Sequence, residues 1–241
     1  MASNLASNQD TLVTVFGGSG FLGRHVVRAL AKRDYRIRVA VRRPELSGYL
    51  QPMGRVGQIH AVQANLRYPA SVEAAMRDSH VAVNLVAILS QSGAQTFDAV
   101  QVTGAETVAK AAAAAGARMV HVSAIGADEQ STSHYARAKA AGEKAVLAAL
   151  ASATILRPSL IFGPEDQFTN RFASLATSPT KTGWTLVNPP PTSGSIGEMV
   201  ASEAKRLVNW SSGPKISEGR RMVADASAAS TAFSPAALAR A

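Results

Sequence analysis

Three observations predict an α/β fold, a doubly wound parallel sheet with helices on both faces. Short β-branched runs alternate with stretches of helical apolar spacing from Thr11 to Leu156. The runs are apolar at consecutive positions, as in strands buried on both faces. Three glycines, Gly17, Gly20 and Gly23, interrupt the chain where the first strand gives way to the first helix.

The elements follow in order. TLVTVF (Thr11 to Phe16) reads as the first strand, and Phe21 to Lys32 as a helix with Leu22, Val26, Val27 and Leu30 on one side. YRIRVAVRR holds a second strand from Arg36 to Val41, ended by Pro44. Next come a strand from Ile59 to Val62, a helix from Pro69 to Met76, a strand from Val81 to Val86 and a helix from Thr96 to Ala115. A strand from Arg118 to Val122, a helix from Thr132 to Leu150 and a strand from Ala153 to Leu156 complete the pattern. Past Ala176 a Pro-, Ser- and Gly-rich stretch with Pro189, Pro190 and Pro191 in a row reads as a linker. Helical order returns from Ser195 to Trp210, where Ser195 and Glu198 form a capping-box pattern, and a last helix is expected at Ser234-Pro235. The expected division is a dinucleotide-binding domain over 1–176, a linker over 177–194 and a short, atypical helical segment over 195–241.

Composition narrows the function. A chain of 241 residues supports one substantial core, and 46% hydrophobic with 17% charged residues is ordinary for a globular protein. The absence of cysteine excludes disulfides, thiolate metal sites and cysteine nucleophiles. No apolar stretch reaches the roughly 20 residues of a membrane-spanning helix. MASNLASNQD carries neither an apolar signal core nor an Arg-rich presequence, so a cytoplasmic protein, or one peripheral on the inner membrane, is expected. The net charge is +9, and the first fifty residues hold eight Arg and Lys against Asp10, Asp34 and Glu45. Such a field attracts nucleic acid, acidic lipid or a phosphorylated small molecule, although a solvated basic face is the more ordinary fate of most of these side chains. No basic recognition helix is present, so direct nucleic-acid binding is not expected, and the five histidines lack metal-ligand spacing.

The glycines have a specific physical use. Gly17 permits a tight turn off the strand at backbone angles costly for other residues. Gly20 lacks a Cβ, so a pyrophosphate can approach the N–H groups at the helix N-terminus, and Gly23 lets that helix pack closely on the sheet. This is a dinucleotide-binding arrangement of the Rossmann type. NAD sites place an acidic residue about 20 residues on, at the end of the second strand. Here Arg42 and Arg43 stand there, with Arg24 just beyond the last glycine. Guanidinium groups bind a 2′-phosphate that a carboxylate would repel, so NADP(H) is expected, with NAD(H) as the lesser alternative.

Tyr135 and Lys139 are four apart on one helix face, and Ser123 lies at the end of the preceding strand. A lysine cation beside a phenol is expected to lower the phenol's pKa, leaving it able to act as acid or base. Ser123 can polarise a substrate carbonyl. A surface helix pair without chemistry is the alternative.

Gly17-x-x-Gly20-x-x-Gly23 together with Tyr135-x-x-x-Lys139 resembles the short-chain dehydrogenase/reductase superfamily, in its extended and atypical branches. NLRYPASVEAAM resembles the family's Asp-Leu segment, with Asn65 in place of Asp; VNLVA resembles its fourth strand. ILRPSLIFGPEDQF resembles its Arg-Pro…Phe-Gly-Pro segment. The likeness, over residues 11–176, is most specific to the nucleotide-binding accessory subunit of respiratory complex I and its bacterial epimerase/dehydratase-like relatives. It implies a cofactor-binding set of Gly17, Ser19, Gly20, Phe21, Leu22, Gly23, Arg24, Arg42, Arg43, Asn65, Leu66, Val86, Ala87, Tyr135, Lys139 and Pro158. Ser123, Tyr135 and Lys139 are the implied catalytic group. The residues after Ala176 do not match the family's C-terminal lobe, so an altered or missing substrate half is expected.

Three functions fit these residues. The first is a structural NADP(H) carrier docked on subunits of a membrane respiratory complex. The second is an NAD(P)H-dependent oxidoreductase or epimerase using Tyr135 and Lys139, and the third an NADP(H)-sensing regulator. Fold alone does not separate them.

Overall fold

The computed structural model describes residues 8–161 together with Gly163, Glu165, Asp166 and Asn170. The boundary expected at Ala176, the linker and the C-terminal helices lie outside the described residues.

Among the described residues six strands form one parallel sheet: β1 (Leu12–Phe16), β2 (Arg36–Val41), β3 (Ile59–Gln63), β4 (Val81–Asn84), β5 (Arg118–Val122) and β6 (Thr154–Leu156). Their order is β3-β2-β1-β4-β5-β6, so the chain reverses its direction of growth between β1 and β4. In such sheets ligands bind at the carboxyl ends of the strands beside that reversal. The α-helices among the described residues are α1 (Phe21–Ala31), α2 (Pro69–Met76), α3 (Gly104–Ala114) and α4 (His134–Ala149).

The consecutive apolar runs are explained by two cores, one on each face. Val13 and Val15 of β1 join Val26, Val27 and Leu30 of α1, with Val39, Val83 and Val120, on one side. Phe16 points the other way and packs with Met76, Ala82, Val108, Ala112, Met119 and Val146. The α1 stripe expected from sequence is buried at Val26, Val27 and Leu30, with Leu22 half-buried against the same core.

Three details depart from the expected pattern. The segment after β2 is not a plain strand end: Pro44–Met53 forms a 3-10 helix, with Pro44 in its first turn. Strand β4 ends at Asn84 and not at Val86, because the Asn84 Oδ1 accepts the Val86 N–H at 3.1 Å and takes that donor out of the ladder. The helix expected from Thr96 to Ala115 opens as a π-helix, Asp98–Thr103, before α3. There α4 comes very close. A Cβ on Gly142 would stand 2.1 Å from the Gln101 carbonyl oxygen, so only glycine fits at that contact.

Candidate dinucleotide site

The turn after β1 has the geometry the glycine spacing requires. Gly17 adopts φ +78°, and its N–H donates to the Ala40 carbonyl at 3.1 Å. A Cβ on Gly23 would meet the Gly17 carbonyl oxygen at 2.3 Å, so this glycine seats α1 against the turn. A Cβ on Gly20 would meet only that same oxygen, at 3.3 Å, and otherwise face open space. Gly20 is the N-cap of α1; no side chain caps the helix and its first turn holds no acidic residue. The N–H groups of Phe21, Leu22 and Gly23 lack intrahelical acceptors there, and the helix dipole adds partial positive charge. Main chain bare of side chains at such a helix start is what a pyrophosphate needs.

A cavity of about 260 Å³ opens beside this turn, spanning the ends of β1, β2, β3 and β4. Its wall includes Gly17, Ser19, Gly20, Arg42, Asn65, Leu66, Val86 and Ala87 from the expected set. Ala40, Val41, Ala64, Arg67, Leu85, Ile88, Gln95 and Val100 complete it and were not foreseen. None of these residues is acidic, and Arg42 and Arg67 are basic. The wall therefore suits a ligand that carries phosphate. Asn65 Oδ1 accepts the Arg67 N–H at 3.2 Å, a local turn that asparagine supports as well as aspartate.

Other expected residues lie elsewhere. Arg43 is exposed and outside the cavity wall. Arg24 is outside the cavity wall: its guanidinium pairs with Glu165 at 3.3 Å and lies 5.2 Å from the Tyr49 ring centre. Tyr49, from the 3-10 helix, donates its hydroxyl to the Ser19 carbonyl at 2.6 Å and so braces the glycine turn. Phe21, Leu22, Gly23 and Pro158 are also outside the wall, and the Pro158 carbonyl accepts the Ile125 N–H at 3.0 Å.

The second constellation sits over β5. Lys139 is buried, and its Nζ donates to the Val122 carbonyl at 3.2 Å while lying 5.9 Å from the Tyr135 ring centre. Phe97 packs edge-to-face with the Tyr135 and His134 rings, at 5.9 and 5.6 Å between centres. Ser123, between them and β6, is buried, and its Oγ has no hydrogen-bond partner among the described residues. Burial pushes the Lys139 ammonium down to about 8. The expected lowering of the Tyr135 pKa is corrected here: burial raises it, and the Lys139 Nζ donates to a carbonyl instead of the phenol. At neutral pH the phenol is thus a proton donor, not a phenolate.

Beneath this group lies a polar pair that sequence reasoning passed over. His121 and Asn84 are both buried in the sheet, with Asn84 Nδ2 and His121 Nδ1 3.2 Å apart. The Val86 N–H on Asn84 Oδ1 orients the amide so that its Nδ2 faces the imidazole. Burial, helped by the nearby Lys139 charge, pushes His121 down to about 3. The ring is neutral, and Asn84 anchors the Val86 backbone that forms the cavity wall.

The sequence profile of the NAD dependent epimerase/dehydratase family matches residues 13–187. The chain belongs to that family. Members of that family bind an NAD(P) dinucleotide, and the cavity described above is the candidate place for it. The chain is 39% identical over 172 residues to the ceramide reductase of Caulobacter vibrioides, covering 71% of this chain and 53% of that protein. It is 34% identical over 215 residues to the mitochondrial NADH dehydrogenase (ubiquinone) 1 alpha subcomplex subunit 9 of Mus musculus, covering 87% of this chain and 55% of that one. The chain thus spans about half the length of these curated relatives. Pen from Bacillus thuringiensis shares the fold at TM-score 0.66 and 20% identity, covering 82% of this chain and 66% of Pen. Among the described residues, no helix is long and apolar enough to cross a membrane.

Proposed function

We propose that this family member is an NADP(H) carrier in which the bound dinucleotide is structural, docked peripherally on a membrane respiratory complex. The observation that carries it is the cavity wall, basic at Arg42 and Arg67 and free of carboxylates, beside the uncapped start of α1. The pyrophosphate rests on the Gly17 to Gly20 main chain, and the adenosine half fills the space between Arg42, Asn65 and Val86. Likeness to complex I subunits of mouse and other organisms supports the docking partner. A ligand that binds only the native state stabilises it by mass action, which is what a structural dinucleotide does.

Cofactor choice is tested by comparing NADPH and NADH dissociation constants for wild type and for Arg42→Glu/Arg43→Glu. Wild type is expected to favour NADPH at least about tenfold, and the double variant to lose that preference through charge reversal at the ribose. An unchanged preference would defeat the assignment.

A second reading rests on Ser123 and Tyr135, and on likeness to a ceramide reductase. Bound NADPH supplies a hydride. The chain would hold a substrate carbonyl oxygen on the Ser123 hydroxyl and protonate it from Tyr135. Tyr135→Phe should then abolish NADPH-dependent turnover and leave NADPH affinity within about threefold of wild type. Much weaker binding in that variant would make Tyr135 a cofactor contact and remove its catalytic role.

A further inference from the structure

Arg42 does not extend freely into solvent. Its Nη1 donates to Gln95 Oε1 at 2.7 Å across 53 residues of chain, and both side chains form part of the cavity wall. Gln95 is itself held on a short turn: Ser92 and Gln95 exchange backbone hydrogen bonds of 3.1 and 3.0 Å. Gly93 takes φ +54° inside that turn, and the neighbouring Phe97 N–H donates to Gln91 Oε1 at 2.9 Å. The acceptor that fixes Arg42 therefore comes from a locally hydrogen-bonded loop after β4.

We propose that Gln95 is a specificity-determining residue, holding the Arg42 guanidinium against the cavity without neutralising it, so that a ribose 2′-phosphate is favoured over a 2′-hydroxyl. The inference rests on the NADP(H) reading above. An amide oxygen is suited to this because it accepts a hydrogen bond and carries no net charge. A carboxylate at the same place would also hold the arginine, but would cancel its charge and repel the phosphate. One N–H of the guanidinium is committed to Gln95, which leaves its other donors for a phosphate. Holding the side chain beforehand spares part of the ordering cost of binding.

The experiment measures NADPH and NADH dissociation constants for wild type, Gln95→Glu and Gln95→Ala. Gln95→Glu is expected to weaken NADPH at least about tenfold and NADH less than about threefold, removing most of the selectivity. Gln95→Ala, which frees Arg42 without adding charge, is expected to weaken NADPH by about three- to tenfold. Because Gln95 lies on a surface turn, melting temperature without ligand monitors folding of each variant. If wild type favours NADPH and both variants keep the wild-type ratio, Gln95 has no role in selection and the inference is overturned. If wild type binds the two cofactors equally, or neither, the NADP(H) reading fails and this inference falls with it.

Discussion

NADPH at a thousandfold excess over its dissociation constant is expected to raise the melting temperature by about 10 °C, and Gly20→Val to abolish that rise. The gain follows from about 4 kcal/mol of linkage, at roughly 2–4 °C per kcal/mol for a domain of this size. The loss follows from geometry. Gly20 is at φ −74° and ψ 179°, angles valine adopts readily, and its Cβ would stand 3.3 Å from the Gly17 carbonyl oxygen. A shift of a few tenths of an ångström accommodates it, so the unliganded fold should melt close to wild type. The added methyl groups, however, stand over the first-turn N–H groups that the pyrophosphate must reach. Differential scanning fluorimetry with and without NADPH reads both effects. A Gly20→Val protein that keeps the full gain would place the phosphates somewhere else.

Acid is expected to destabilise the protein strongly through one residue, His121. In the folded chain its pKa is held at about 3, against 6.5 when exposed. The unfolded chain therefore takes a proton between pH 6.5 and 3 that the folded chain refuses. Stability contributed by the neutral buried ring is complete above pH 6.5 and drains away as pH falls through that window. The loss should be on the order of 2–3 kcal/mol by pH 4.5, from about 1.4 kcal/mol per pH unit. Urea denaturation of wild type and His121→Asn across pH 4.5 to 7 isolates this contribution, since the carboxylates titrate alike in both. Whatever the variant changes at the Asn84 contact is the same at every pH, so the informative quantity is the slope, expected to be much shallower. Equal slopes would mean that His121 gains a proton without penalty, contrary to its burial.

Local patterns made the sheet, its helices and the glycine turn readable from sequence. Val13 and Val15 alternate with Thr14 and Phe16, yet nearly all are apolar, which only a strand covered on both faces tolerates. Gly17, Gly20 and Gly23 carry their meaning in their spacing, as do Tyr135 and Lys139 on one helix face. The residues that were not foreseen depend on contacts distant in sequence. Gln95 reaches Arg42 from another loop, Tyr49 braces Ser19 from a 3-10 helix, and Glu165 pairs with Arg24. No periodicity marks such positions. Arg67 was nearer to hand, a basic residue two positions beyond Asn65 at the end of β3. The direction of the Tyr135 shift is not legible for a related reason: spacing reveals that a lysine is near, but not that both groups have been removed from water.

Calorimetric titration of the wild-type chain with NADPH bears most directly on whether a diphosphate lies against the open backbone where α1 begins. Saturable one-to-one binding with a dissociation constant below about 100 micromolar is the predicted result. Absence of heat and of any melting shift at millimolar NADPH and NADH alike would contradict it.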